Sequence, residues 1–155
     1  MQIQIDDLTH PKVVELLQQH LDDMYATSPA ESVHALDLEK LRQPDITFWT
    51  VWQQQDLLGC GALKALSSQH AEIKSMRTSR QHLRKGVATH ILEHIIMQAK
   101  ARELKRISLE TGSQAFFKPA IALYKSYNFK FCEPFADYQE DPNSKFMTLV
   151  LGSAD

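Results

Sequence analysis

The sequence predicts an α/β (α+β) domain in three layers, a mixed central sheet of about seven strands flanked by about four helices. Three observations predict it. Stretches rich in β-branched and aromatic residues follow one another from Thr47 to Thr78 with short polar breaks, the pattern of an antiparallel meander. A wide helical stripe begins at Gly86, and after it come a strand, a shorter helix and two more strands. A meander that feeds a strand-helix-strand unit needs antiparallel and parallel pairing in one sheet.

Gln2 to Asp6 alternates with period two and reads as a strand with Ile3 and Ile5 on one face. From Pro11, which suits a first helical turn, the spacing of Val13, Val14, Leu17, Leu21 and Met24 gives an amphipathic helix that ends in Ala26 to Pro29. A shorter helix covers about Leu36 to Arg42 and is closed by Pro44. Strands then follow at Thr47 to Trp52, Leu57 to Leu66 and Ala71 to Thr78, separated by the hairpin-length breaks Gln53 to Asp56 and Ser67 to His70. The next helix carries Val87, Ala88, Ile91, Leu92, Ile95, Ile96 and Ala99 on one stripe. Lys105 to Glu110 is a strand, and Pro119 to Tyr127 a helix that Asn128 can end in the left-handed conformation. Phe129 to Phe131 and Phe146 to Leu151 are the last strands.

A chain of 155 residues is the usual size of one domain, and its 43% apolar and 23% charged residues are those of a globular protein. It is expected to fold alone or as a simple oligomer such as a homodimer. A net charge of -2 gives no field that would gather nucleic acid or anionic lipid. Cys60 and Cys132 have no metal-type spacing and read as small buried hydrophobes of a reducing compartment. The first ten residues lack the basic-then-apolar order of a signal peptide, and no window approaches the about 20 apolar residues of a membrane span. A cytoplasmic location is the expectation.

Chemistry concentrates at the junction Arg80 to Ala88. A loop entering a helix offers unpaired backbone N–H groups and the positive end of the helix dipole, and both favour a diphosphate. Gly86 lets the backbone approach such a ligand, and Arg84 and Lys85 add charge. The patterns GxxxxGK[ST] and GxGxxG are absent. His90-Ile91-Leu92-Glu93-His94 matches a zinc-peptidase pattern, but helical spacing turns both histidines and Glu93 away from the apolar stripe, and no third ligand is evident. No metal is expected.

The stretch AEIKSMRTSRQHLRKGVATHILEHIIMQAKARELKRISLETGS, followed by AIALYKSYNFKF, resembles the GNAT family of N-acetyltransferases. The first segment is similar to their central CoA-binding region and the second to their A-x-x-LYxxxGF segment, and with the element order the resemblance spans nearly the whole chain. It implies the GNAT fold and an acetyl-CoA-dependent N-acetyltransferase that moves an acetyl group directly to a primary amine, with no covalent enzyme intermediate. Leu83-Arg84-Lys85-Gly86-Val87-Ala88, with Thr89, would receive the pyrophosphate as the family's [QR]-x-x-G-x-[GA] loop does, although Leu83 replaces the usual Gln or Arg. Met76, Arg77 and Thr78 would hold the pantetheine arm through their backbone. Phe117 stands where many members have an Asn that touches CoA, and Asn128 where Gly is usual.

By the same resemblance Tyr124 aligns with the tyrosine that protonates the departing thiolate, although a core tyrosine beside Ala120 and Tyr127 would show the same spacing. Glu72 and Glu110 are the candidates for the base that an ammonium acceptor requires, and each is equally readable as a strand residue, Glu72 as a partner of Lys74. The acceptor walls of the family imply Tyr25, Ser28, Glu31 and His34 facing Asp137, Tyr138 and Glu140, a set suited to a cationic or polar small molecule. Two alternatives remain open at this level: a protein or peptide amine as acceptor, and a non-catalytic acyl-CoA sensor.

Overall fold

The computed structural model describes residues 1–33 and 38–152. In chain order the elements are β1 (Gln2–Ile5), α1 (Pro11–Thr27), α2 (Leu38–Leu41), β2 (Ile46–Gln53), β3 (Asp56–Ala65), β4 (His70–Thr78), α3 (Val87–Ala101), β5 (Arg106–Gly112), α4 (Lys118–Ser126), β6 (Lys130–Phe131) and β7 (Ser144–Val150). The predicted second helix begins at residues outside the described ones, and its described part is α2. The strands form one sheet in the order β1-β2-β3-β4-β5-β7-β6. Pairing is antiparallel except between β4 and β5, which are parallel because α3 carries the chain back across the sheet.

The two sheet faces carry separate cores. Ile91, Leu92 and Ile95 of α3 and Tyr124 of α4 pack with Trp49, Val51, Ile73, Ile107 and Leu109 on one face. Val13, Leu16 and Leu17 of α1 pack with Leu41, Phe48, Cys60 and Ala62 on the other. This is the expected three-layer arrangement. Asn128 ends α4 with φ at +73°, also as expected.

Several side chains differ from the sequence expectation. Ile5 is 71% exposed because β1 is an edge strand whose far end passes beyond the core, so only Ile3 packs inward. In α1, Leu16 takes the buried position expected of Val14, which faces solvent. Cys60 is buried, whereas Cys132 is only half-buried beside the two-residue β6. His94 does not point to water: its ring meets Trp49 edge-on at 5.3 Å, while His90 and Glu93 are exposed. No helix among the described residues is long and apolar enough to cross a membrane.

At the end of β5 the backbone approaches Phe117 so closely that a Cβ on Gly112 would lie 2.1 Å from its ring. Gly112→Ala is therefore expected to destabilise the protein by about 1–3 kcal/mol through overpacking. Denaturant unfolding with an unchanged midpoint would show that Phe117 moves aside freely.

Candidate active site

β4 and β5 pair from His70↔Arg106 to Ile73↔Leu109 and then stop, although β4 runs on to Thr78 and β5 to Gly112. Two parallel strands thus part in mid-sheet and expose backbone groups of each that have lost their ladder partner. A bulge in β4 accompanies the parting. Ala62 pairs with Lys74 and Cys60 with Arg77, so Ser75 and Met76 together oppose Gly61. Ser75 has φ at +56°, and its carbonyl accepts the Cys60 thiol at 3.2 Å.

The bulge shifts the alternation of side chains. Before it Ile73 faces the α3 core and Glu72 and Lys74 face the opposite way; after it Met76 packs against the α3 core and Arg77 turns under α1. Without the extra residue, Arg77 and Lys74 would lie on opposite faces.

Two cavities meet at the parting. The larger, about 730 Å³, runs from Met76, Arg77 and Thr78 past Gly86 and the first turn of α3 to Phe117 and Tyr124. The smaller, about 100 Å³, holds Glu72, Lys74, Ser75, Glu110 and Thr111. His20, Met24, Met76, Phe117, Ala120 and Tyr124 line both, so the two are continuous through these side chains.

The head of α3 is shaped for an anion. Gly86 caps the helix with φ at +82°, and a Cβ there would meet nothing within 4 Å, so the backbone borders open space. The first-turn N–H groups of α3 point toward that space with the helix dipole behind them, and no acidic side chain occupies the turn. Arg84 also has positive φ, +63°.

In the smaller cavity the two candidate carboxylates differ. Glu72 is buried and tied down: its Oε2 accepts the Tyr138 hydroxyl proton and the Lys74 ammonium at 3.2 Å. Burial pushes Glu110 up to about 7, against the pull of the nearby Lys74 charge. A carboxylate that titrates near neutrality can take a proton and later release it. Tyr124 is buried, which raises its phenol above the ordinary value, so at neutral pH it carries its proton. Burial, and behind it the Arg77 charge, push His20 down to about 4, leaving an uncharged ring.

The structure brings together most of the expected site. Met76, Arg77, Thr78, Leu83, Arg84, Gly86, Val87, Ala88, Thr89, Phe117 and Tyr124 line the larger cavity, and Glu72 and Glu110 the smaller. Lys85 does not join them; its ammonium lies 3.3 Å from His82 Nδ1. Of the expected acceptor walls among the described residues, only Tyr138 reaches the site, through Glu72. Tyr25 is 56% exposed, Ser28 meets Gln114, Glu31 and Asp137 are exposed, and Glu140 lines a separate cavity beside β6 and β7. His34 lies outside the described residues. Sequence reasoning missed His20, which shares with Met24 the inward face of α1; a stripe drawn from apolar residues alone passes over a histidine four residues before Met24.

A seven-stranded sheet parted at its parallel pair, with a glycine-capped helix facing the gap, agrees with the acyltransferase fold that the sequence resemblance implies. The model of the Acetyltransferase (GNAT) family matches residues 13–129, and the chain belongs to that family. It is 62% identical over 97% of its length to all of the uncharacterised N-acetyltransferase YsnE of Bacillus subtilis. Over 96% of its length it is 53% identical to the uncharacterised N-acetyltransferase YedL of Escherichia coli, 94% of which is covered. Among solved structures, a Bacillus subtilis acetyltransferase in complex with CoA has the same fold, with a TM-score of 0.71 at 16% identity over 97% of this chain and 98% of that one.

The Glu110 environment has a consequence for stability. Its pKa rises from the ordinary 4.5 to about 7 on folding, so the native state binds a proton that the unfolded chain gives up between those values. The stabilisation is fully present below about pH 4.5 and is lost as pH rises through about 7. Relative to wild type, Glu110→Gln is expected to gain melting temperature across that interval. A difference that stays constant with pH would show that Glu110 titrates ordinarily.

Proposed function

We propose that this acetyltransferase moves an acetyl group from acetyl-CoA to the primary amine of a small molecule, with Glu110 as base and Tyr124 as acid. The observation that carries this reading is the pair of continuous cavities at the parted strands, with Tyr124 lining both and Glu110 lining the inner one. The diphosphate docks on the backbone of Arg84 to Thr89, and the pantetheine arm lies along Met76, Arg77 and Thr78. Phe117 packs against the arm where it turns inward. The small size of the inner cavity favours a small acceptor over a protein segment.

The acceptor arrives as an ammonium, and Glu110 takes one of its protons. The freed lone pair attacks the thioester carbonyl carbon while β4 backbone N–H groups beyond Ile73 stabilise the oxygen that becomes negative. Collapse of the tetrahedral species breaks the C–S bond, the thiolate takes the Tyr124 proton, and the second proton of the nitrogen leaves to solvent. Glu72, held by Lys74 and Tyr138, keeps the inner wall in place.

Gly86→Val is expected to weaken acetyl-CoA at least tenfold in calorimetry, because a β-branched residue both strains at positive φ and fills the docking space. Unchanged affinity in a folded variant would move the diphosphate elsewhere. Tyr124→Phe keeps the ring and its packing against Phe129, so a core tyrosine would lose little. As a proton donor its loss is expected to lower turnover by about 10²-fold with acetyl-CoA affinity retained. Turnover within a factor of two of wild type would leave Tyr124 a wall of the cavity only.

A further inference from the structure

Arg77 lies at the meeting of α1 and the bulged end of β4, with its side chain 9% exposed. Its Nη1 donates to Asp23 Oδ2 at 2.6 Å, while Nε and Nη2 are buried without a partner. These two N–H groups share the side-on edge of the guanidinium, which grips both oxygens of a carboxylate. Leaving that edge unpaired in a buried place is unfavourable, since each desolvated donor lacks its compensating acceptor. Arg77 lines the larger cavity, so a ligand seated there lies beside it.

The surrounding charges do not balance. Asp23 also accepts from Arg80 Nη2 at 2.5 Å, so a single carboxylate serves two guanidiniums. Burial opposes ionisation of Asp23, but the two arginines outweigh it and hold its carboxyl below the ordinary value. His20, next in the wall, is uncharged near neutrality and supplies no counterion. Glu72 is engaged by Lys74 and Tyr138 and faces the inner cavity. Among the described residues one positive charge is left over on the α1 side of the cavity, where His20 and Met24 continue into the cavity that holds Glu110.

We propose that the free edge of Arg77 binds a carboxylate on the acceptor, so that the amine acetylated here belongs to an amino acid or a related aminocarboxylate. This rests on the acetyl-transfer reading and narrows its substrate class. The acceptor would lie with its carboxylate against Arg77 under α1 and its ammonium directed to Glu110. Arg77 is then a specificity residue, and Asp23 positions it through Nη1.

The test measures CoA thiol release with matched acceptors: alanine against alaninamide, γ-aminobutyrate against butylamine, and phenylalanine against phenethylamine. The expected result is a kcat/KM at least about tenfold higher for the carboxylate member of the accepted pair, carried by KM. Arg77→Gln should collapse that ratio toward one, and Arg77→Lys should keep part of it, with acetyl-CoA affinity followed in parallel. If wild type turns over the neutral member as well as its partner, acetyl transfer stands and the carboxylate site is overturned. The carboxylate site is overturned equally if Arg77→Gln keeps the ratio, or if it weakens acetyl-CoA instead. The wild-type comparison decides the matter even where a variant fails to fold. Absence of thiol release with every amine, charged or neutral, would remove the acetyl-transfer reading and this one with it.

Discussion

The site depends on two parallel strands that stop pairing before either of them ends. Parallel ladders are ordinarily buried and continuous, because each lost rung leaves an N–H and a C=O to be satisfied elsewhere. Here β4 and β5 separate after Ile73 and Leu109. The parting is maintained by packing on both sides: Met76 sits against Gly61, Ile91 and Ile95 on the α3 face, and Arg77 is anchored by Asp23 of α1 on the other. Neither contact would exist without the extra residue at Ser75, since the bulge alone lets Lys74 and Arg77 share a face. The backbone groups released by the parting are those that the proposed reaction would use to hold a carbonyl and an amide arm.

Charge is distributed along the same opening so that acids and bases do not cancel one another. Glu72 and Lys74 form a buried pair in which Glu72 Oε2 also accepts from the Tyr138 hydroxyl, and truncating one partner of such a pair leaves an uncompensated charge. Glu110, half-buried and less closely engaged, is left near neutrality, while Tyr124 across the cavity retains its proton. Two groups whose environments both favour the protonated form, at different values, are what an acid and a base working on one substrate require. Glu72 is fixed by its partners, whereas burial dominates at Glu110 and leaves it near neutrality.

Much of this was legible in the sequence. Element order, the mixed sheet and the loop-to-helix junction all follow from periodicity and from Gly86, because those features are local. The lining of the larger cavity was legible for the same reason, as Met76 to Thr78 and, Lys85 apart, Leu83 to Thr89 are contiguous stretches. The acceptor side was not, because it is assembled from elements far apart in the chain. Tyr138 enters through a loop that contacts Glu72, 66 positions away, and His20 enters from α1. The choice between Glu72 and Glu110 also could not be made from sequence: both are strand glutamates, and only the tertiary partners of Glu72 distinguish them. The bulge was invisible, since Ser75 carries no glycine to announce its positive φ.

That last point extends to the junction before α3. Arg84 and Gly86 both adopt positive φ, but only the second is a residue that does so freely. An arginine in the left-handed region costs about 1–2 kcal/mol, and so does the serine at the β4 bulge. Arg84 borders the larger cavity and Ser75 its inner extension, whereas Leu8, another non-glycine residue with positive φ, lies in the α1-side core. The left-handed backbone at Arg84 and Ser75 sets the direction of the amides before α3 and accompanies the parting of β4 from β5. In the proposed binding through backbone amides, side chains such as Leu83 are free to differ from the family pattern, while the backbone angles at Arg84, Gly86 and Ser75 are what must be preserved.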